Sequence, residues 1–239
     1  MRLVKYLARA GVASRRKAEL IIRQRRVQIN GALSDLPHTD VGEKDVVTVD
    51  GKIITGFEKK YYILLNKPSG FISTVSDTHN RPTVASLLKG VKARLYPVGR
   101  LDADTKGVLL MTNDGELAYR LTHPRYQTEK IYHAWVSGVP GERLLKQFER
   151  GLIIDGDKTA PASARLLIAR TDKNRALLEI ILTEGRKRQV KKMCLAIGCP
   201  VKSLSRVSFA GLTAGDLPEG SFRHLHIEEV EYLYRMVKL

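Results

Sequence analysis

Residues 99–115 read GRLDADTKGVLLMTNDG and set one carboxylate, Asp102, directly behind an arginine and a leucine. Tyr96-Pro97-Val98 lead in as a short strand, and Asp104-Thr105-Lys106-Gly107 read as a turn. Val108-Leu109-Leu110-Met111 then form a second, buried strand. A side chain at such a strand-to-loop junction is held at its base while its tip faces a cleft, which suits a nucleophile or a base. An aspartate before a turn more often caps a backbone N–H. Asp104, directly ahead of Thr105-Lys106-Gly107, fits that turn role better than Asp102.

Outward from this stretch, strands are expected at 61–66, 71–75, 130–136, 162–169 and 176–183, and less strongly at 201–207. Helices are expected at 83–88, 115–121, 142–150, 188–197 and 227–234. Strands outnumber helices and do not alternate strictly with them. The fold class is therefore α+β, with a mixed, largely antiparallel sheet rather than a doubly wound one.

Upstream, 1–56 reads as a small basic module and 57–239 as the second domain, with the charged, aperiodic stretch 55–60 as the linker. Leu3, Leu7 and Ala10 repeat at helical spacing, and Gly11 closes that helix. Ser14 caps a second helix running to about Arg26, with Ala18, Ile21 and Ile22 on one side. Arg15, Arg16, Arg23 and Arg26 gather on an adjoining arc, next to Lys17. The first thirty residues carry nine Lys or Arg against one acid, Glu19. Short extended pieces at 27–29 and 46–49 follow, with turns at Asn30-Gly31 and Asp50-Gly51.

The whole chain carries a formal charge of +16 on 239 residues, which points to a polyanion as partner. No apolar run approaches the roughly 20 residues needed to span a bilayer. Met1-Arg2-Leu3-Val4-Lys5 starts a charged helix rather than a signal peptide, so nucleic acid is favoured over membrane and the compartment reads as cytoplasmic. Cys194 and Cys199 lack the partners of a zinc site, and Cys194 falls on an apolar helix side. No metal site is expected.

The Gly-Arg-Leu-Asp motif, its Thr and Gly, and the leucine-rich strand ending Thr-Asn-Asp-Gly resemble the catalytic motif of the RNA pseudouridine synthases. The resemblance is to the group comprising the A type, specific for the small ribosomal subunit, with the B, E and F types, specific for the large one. Tyr61-Tyr62, Asn66-Lys67-Pro68 and Ser73-Thr74-Val75-Ser76-Asp77 look nearest to the B type. The N-terminal module, with Ala-Gly-Val-Ala-Ser-Arg-Arg-Lys-Ala-Glu between its helices, is similar to the S4 domain. That likeness implies RNA binding through Arg15, Arg16, Lys17, Arg23 and Arg26. The family resemblance implies that Asp102 is the catalytic carboxylate in converting uridine to pseudouridine. The reaction breaks the N1–C1′ bond, turns the base and rejoins it through C5, with no redox step and no cofactor. The carboxylate attacks C1′ or C6, or removes a ribose proton; the sequence leaves all three open.

The same resemblance assigns Tyr132, in Glu129-Lys130-Ile131-Tyr132, to stack on the target base and later take the C5 proton. It places Lys191, in the basic segment 184–193, as the counter-charge of Asp102, where many members carry Arg. It also places Leu182 beneath the base. The five basic residues of that segment, Arg186 and Arg188 among them, sit near a helix N-terminus and make an anion site. Arg100 is positioned to fill the stack vacated by an extruded nucleotide or to hold its phosphate. The expected partner is ribosomal RNA, as a folded stem-loop or an assembly intermediate, with the protein acting as a monomer. Two rivals remain. A non-catalytic S4-type assembly factor would leave Asp102 and Tyr132 without a reason. A metal-dependent nuclease needs clustered carboxylates, and only Asp102 and Asp104 lie close.

Overall fold

Two short helices open the chain, α1 (Leu3–Arg9) and α2 (Arg15–Arg23), in the computed structural model, which describes all 239 residues. Gly11 takes a left-handed φ of +78° after α1, and the Ser14 hydroxyl accepts from the Lys17 amide at the start of α2. Four strands follow: β1 (Val27–Ile29), β2 (Ala32–Ser34), β3 (Val47–Val49) and β4 (Lys52–Ile53), in the order β2-β1-β3-β4. Their hairpins turn on Asn30-Gly31 and Asp50-Gly51, all four at positive φ, the geometry that matches strand twist. Leu3, Leu7, Ala18, Ile22, Val27, Val41, Val47 and Val49 form the core of this unit.

Helix α2 ends at Arg23, short of the expected Arg26. Arg25 turns left-handed at φ +56°, and Arg26 lies beyond the helical arc, where its guanidinium grips Asp50 with both edges (2.8 and 2.6 Å). This unit comprises Met1–Tyr61 with Lys92–Arg94, and a second unit comprises Tyr62–Val91 with Leu95–Leu239.

The second unit is built on one nine-stranded sheet. Its strands are β5 (Tyr62–Lys67), β6 (Tyr96–Pro97), β7 (Thr105–Thr112), β8 (Lys130–Ser137), β11 (Ser163–Arg170), β12 (Arg175–Leu182), β13 (Val201–Phe209), β14 (Leu212–Thr213) and β15 (Phe222–His224). A separate hairpin pairs β9 (Ile153–Ile154) with β10 (Asp157–Lys158). The main path runs β11-β12-β8-β13-β7-β5-β15; every pairing is antiparallel except β13 with β7. Strand β13, the least strongly expected from sequence, is therefore central. The helices are α3 (Gly115–Thr122), α4 (Glu142–Leu145), α5 (Gln147–Arg150), α6 (Gln189–Ala196) and α7 (Ile227–Met236). Asp114 caps α3 and also accepts from the Tyr62 and Tyr234 hydroxyls, tying α3 and α7 to β5.

Four local expectations fail. Residues 71–75 form no strand, only a bridge from Ile72 to Thr83, because β5 already pairs on both edges with β7 and β15. The helix expected at 83–88 is a single 3₁₀ turn, Val84–Leu87, and the one at 142–150 breaks at Lys146. The turn expected at 104–107 lies two residues earlier, at 102–105. Thr105 N–H already bonds Asp102 C=O (3.1 Å), and Gly107 lies inside β7. Its φ of +106° and its approach to β13 explain the glycine: a Cβ there would stand 2.1 Å from the Arg206 carbonyl oxygen.

Candidate active site

Between β6 and β7 the chain passes through Leu101, Asp102 and Ala103 at the mouth of a cavity of about 660 Å³. The loop carrying Asp102 is fixed from behind. Ser73 Oγ donates to Leu101 C=O (2.8 Å) and accepts from Leu101 N–H (3.0 Å). Lys67, fully buried at the end of β5, points its ammonium at the carbonyls of Pro68 (3.0 Å), Asp102 (3.2 Å), Ala103 (3.2 Å) and Thr105 (2.7 Å). Burial pushes this ammonium down to about 8, partly offset by Asp104 and Asp102. One buried cation thus holds the backbone at the aspartate and just after it, while Ser73 holds the residue before it, leaving the carboxylate half-exposed.

Lys191 on α6 brings its Nζ 3.2 Å from Asp102 Oδ2 and 2.5 Å from Asp104 Oδ1. It is a shared counter-charge, nearer to Asp104 than to Asp102. The lysine's hydrogen bond holds the Asp104 carboxyl below the usual range. Segment 184–188 leads into α6, where Val190 and Cys194, with Ile197 just past its end, are buried as the apolar stripe predicts.

The structure brings Asp102, Tyr132, Leu182, Arg100, Arg186 and Arg188 around the same cavity. Tyr132 and Leu182 are buried in its wall, whereas Arg100 and Arg188 are exposed. Arg188 sits at the head of α6 in left-handed conformation, φ +55°. Arg186 is occupied: its guanidinium reaches Glu184 (3.4 Å) and the Lys158 carbonyl (2.6 Å). In the N-terminal unit Arg15, Arg16 and Lys17 are exposed on the first turn of α2, while Arg23 pairs with Glu19 (3.0 Å). No three His, Cys, Asp or Glu side chains gather as a metal-holding set, and no helix is long and apolar enough to cross a membrane.

The sequence pattern alone did not mark Lys67, Ser73 and Arg206 as site residues. The signal for Lys67 is a lysine at an inward position of the apolar strand Tyr62–Lys67. For Arg206 it is a charge at an inward position of β13, flanked by Leu204 and Ser208.

A carboxylate on a braced loop, backed by a lysine and facing a buried tyrosine across a basic cleft, agrees with the families that the chain matches. The RNA pseudouridylate synthase family model matches residues 61–196, and the S4 domain model matches residues 1–47. The chain belongs to the RNA pseudouridylate synthase family, an isomerase carrying an N-terminal S4 domain. It is 43% identical over 97% of its length to ribosomal large subunit pseudouridine synthase B of Bacillus subtilis, covering 95% of that protein. An RNA pseudouridine synthase of Aquifex aeolicus is 40% identical over the whole chain and 96% of its own. A crystal structure of a pseudouridylate synthase, 30% identical, superposes with a TM-score of 0.69 over 98% of this chain and 99% of that one.

Proposed function

We propose that the protein converts one uridine of ribosomal RNA, in the large-subunit RNA, to pseudouridine, with Asp102 as nucleophile or base. The observation that carries this reading is the placement of Asp102 on its braced loop, 3.2 Å from the Lys191 ammonium, in the cavity that Tyr132 lines. A charge-assisted contact of this kind fixes the direction of the carboxylate. Tyr132 stacks on the extruded base and accepts the C5 proton late in the reaction, with Leu182 packed beneath. Arg100 occupies the vacated stack or holds the neighbouring phosphate, and Arg188 meets the RNA backbone. Arg186, tied to Glu184 and Lys158, shapes the cleft wall and presents charge rather than a free fork.

Residues 1–56 act as the RNA-positioning domain, through Arg15, Arg16, Lys17 and Arg23, and residues 57–239 as the catalytic domain. Arg23, paired with Glu19, and Arg26, gripped by Asp50, contribute less to that face than Arg15, Arg16 and Lys17. The substrate is a folded stem-loop or an assembly intermediate, met in the cytoplasm by a monomer without cofactor. The test is tritium release from 5-tritiated uridine in ribosomal RNA, with and without EDTA. Release that survives chelation supports the proposal; absence of release, or its abolition by EDTA, overturns it.

A further inference from the structure

The inner wall of the cavity holds a cation that the roles above leave unused. Arg206 on β13 is 2% exposed. Its Nε donates to the Val108 carbonyl (2.8 Å), and its Cζ stands 4.7 Å from the centre of the Phe209 ring. Its Nη2 is buried and has no partner in the protein. Arg206 lies directly opposite Tyr132 across the β13–β8 pair, and both line the cavity. Lys130, two residues before Tyr132 and so on the same face of β8, lines it too. Burial, then the like charge of Arg206, pushes the Lys130 ammonium down to about 8, against an opposing pull from Glu184.

A buried guanidinium with an unused donor edge is costly, and a folded chain retains one where something else supplies the acceptor. The backbone at this residue is closely packed: Gly107, which has no Cβ to meet the Arg206 carbonyl, lets β13 and β7 pair there. Two features separate the acceptor from a phosphate. The exposed Arg100, Lys187 and Arg188 already offer the cleft's outer charge to the backbone. Arg206 sits beside the tyrosine, where a flat base entering edge-on presents carbonyl oxygens.

We propose that Arg206 is a catalytic residue, its Nη2 edge donating to a carbonyl oxygen of the extruded uracil and neutralising the charge the base acquires. This deepens the function proposed above and rests on it. Whichever route Asp102 takes, the electron pair of the N1–C1′ bond passes to the uracil ring and spreads onto its carbonyl oxygens. C5 then returns a pair to C1′, the C5 proton leaves to a base in the site, and N1 gains a proton. The sum is an isomerisation with nothing oxidised or reduced. Arg206 acts in the first half by holding the departing anion, as a fixed donor stabilises developing charge elsewhere.

The test compares single-turnover consumption of the target nucleoside by the full-length wild type and Arg206→Gln, on the same RNA carrying uridine or 5-fluorouridine. Fluorine withdraws electrons and stabilises the uracil anion, so a donor serving that anion matters less. The expected loss for Arg206→Gln is about 100-fold with uridine, the scale of removing one such donor, and under about ten-fold with 5-fluorouridine, with RNA affinity within about three-fold. Arg206→Lys keeps the charge without the fork. It should lose less on uridine, with the same narrowing on 5-fluorouridine, and it carries the comparison if the glutamine variant does not fold. Equal losses on both nucleosides would make Arg206 a structural residue and overturn the proposal. So would a rate within three-fold of wild type, or a loss confined to affinity. A wild type that consumes no uridine overturns the parent reading, a result distinct from all of these.

Discussion

Replacing Lys67 with methionine removes the ammonium that braces the Asp102 loop while keeping most of the side chain's volume. Displacement from 10.5 to about 8 means that the buried charge costs about 3 kcal/mol relative to water. Methionine relieves that cost but takes the charged donor away from the carbonyls of Asp102, Ala103 and Thr105, the first two of which keep the Thr105 and Gly70 amides as partners. A hydrogen bond to a charged group contributes about 1.5–3 kcal/mol, so losing three of them against that relief gives a net loss of about 3 kcal/mol. In a chain of this length that lowers the melting temperature by roughly 6–12 °C. A displacement of about 1 Å at a reacting group costs about 100-fold in rate, and that is the expected loss in single turnover, with RNA affinity preserved. The pH dependence has a fixed sign. Lys67 titrates lower in the folded protein than in the unfolded chain, so between about pH 8 and 10.5 the unfolded chain holds more protons. Its contribution to stability therefore rises across that window. The rate, by contrast, falls above pH 8, as the ammonium gives up one of its three donors. Calorimetry and single-turnover assays across pH check both. A Lys67→Met variant with unchanged melting temperature, rate within three-fold of wild type and the same pH profile would refute the bracing role.

Gly107→Ala places a methyl 2.1 Å from the Arg206 carbonyl oxygen and should cost more than about 3 kcal/mol or prevent folding. Gly31→Ala, at φ +82° with open space around it, should cost only about 1 kcal/mol by urea denaturation. Replacing Arg15, Arg16 and Lys17 together with alanine should flatten the log–log dependence of RNA affinity on salt, by about 0.7 for each phosphate no longer neutralised on single strands or about 0.9 on duplex. Arg26→Ala should leave that slope unchanged, because Asp50 already holds the guanidinium. Tyr132→Phe keeps the ring and removes the hydroxyl, so the late proton-transfer step should slow in single turnover while RNA binding persists.

The aspartate, the buried tyrosine and the apolar stripe of α6 were legible because each is a local pattern: a motif, an alternating strand, a helical period. So were the hairpin turns, where Asn30-Gly31 and Asp50-Gly51 need only their own φ values. What escaped was set by chain segments distant in sequence. Whether 71–75 becomes a strand depends on β15, some 150 residues away, having taken the free edge of β5. Gly107 looks like a turn residue until β13 is laid beside it. Lys67 and Arg206 look like surface charges until the sheet buries them, and their partners are backbone carbonyls that leave no mark in composition. The end of α2 misled for a related reason: the arginines continue the helical charge pattern to Arg26, but Asp50, on a later turn, draws that residue away.

The central claim, that Asp102 performs the chemistry, is tested most directly by comparing Asp102→Asn with Asp104→Asn. Both carboxylates touch the same lysine, so each substitution removes one of its two anionic partners. Tritium release from 5-tritiated ribosomal RNA is the measurement, with RNA affinity recorded alongside. The account predicts no detectable release by Asp102→Asn, with affinity within a few-fold of wild type, and a far milder loss for Asp104→Asn. Substantial release by Asp102→Asn, or equal losses in the two variants, would contradict it.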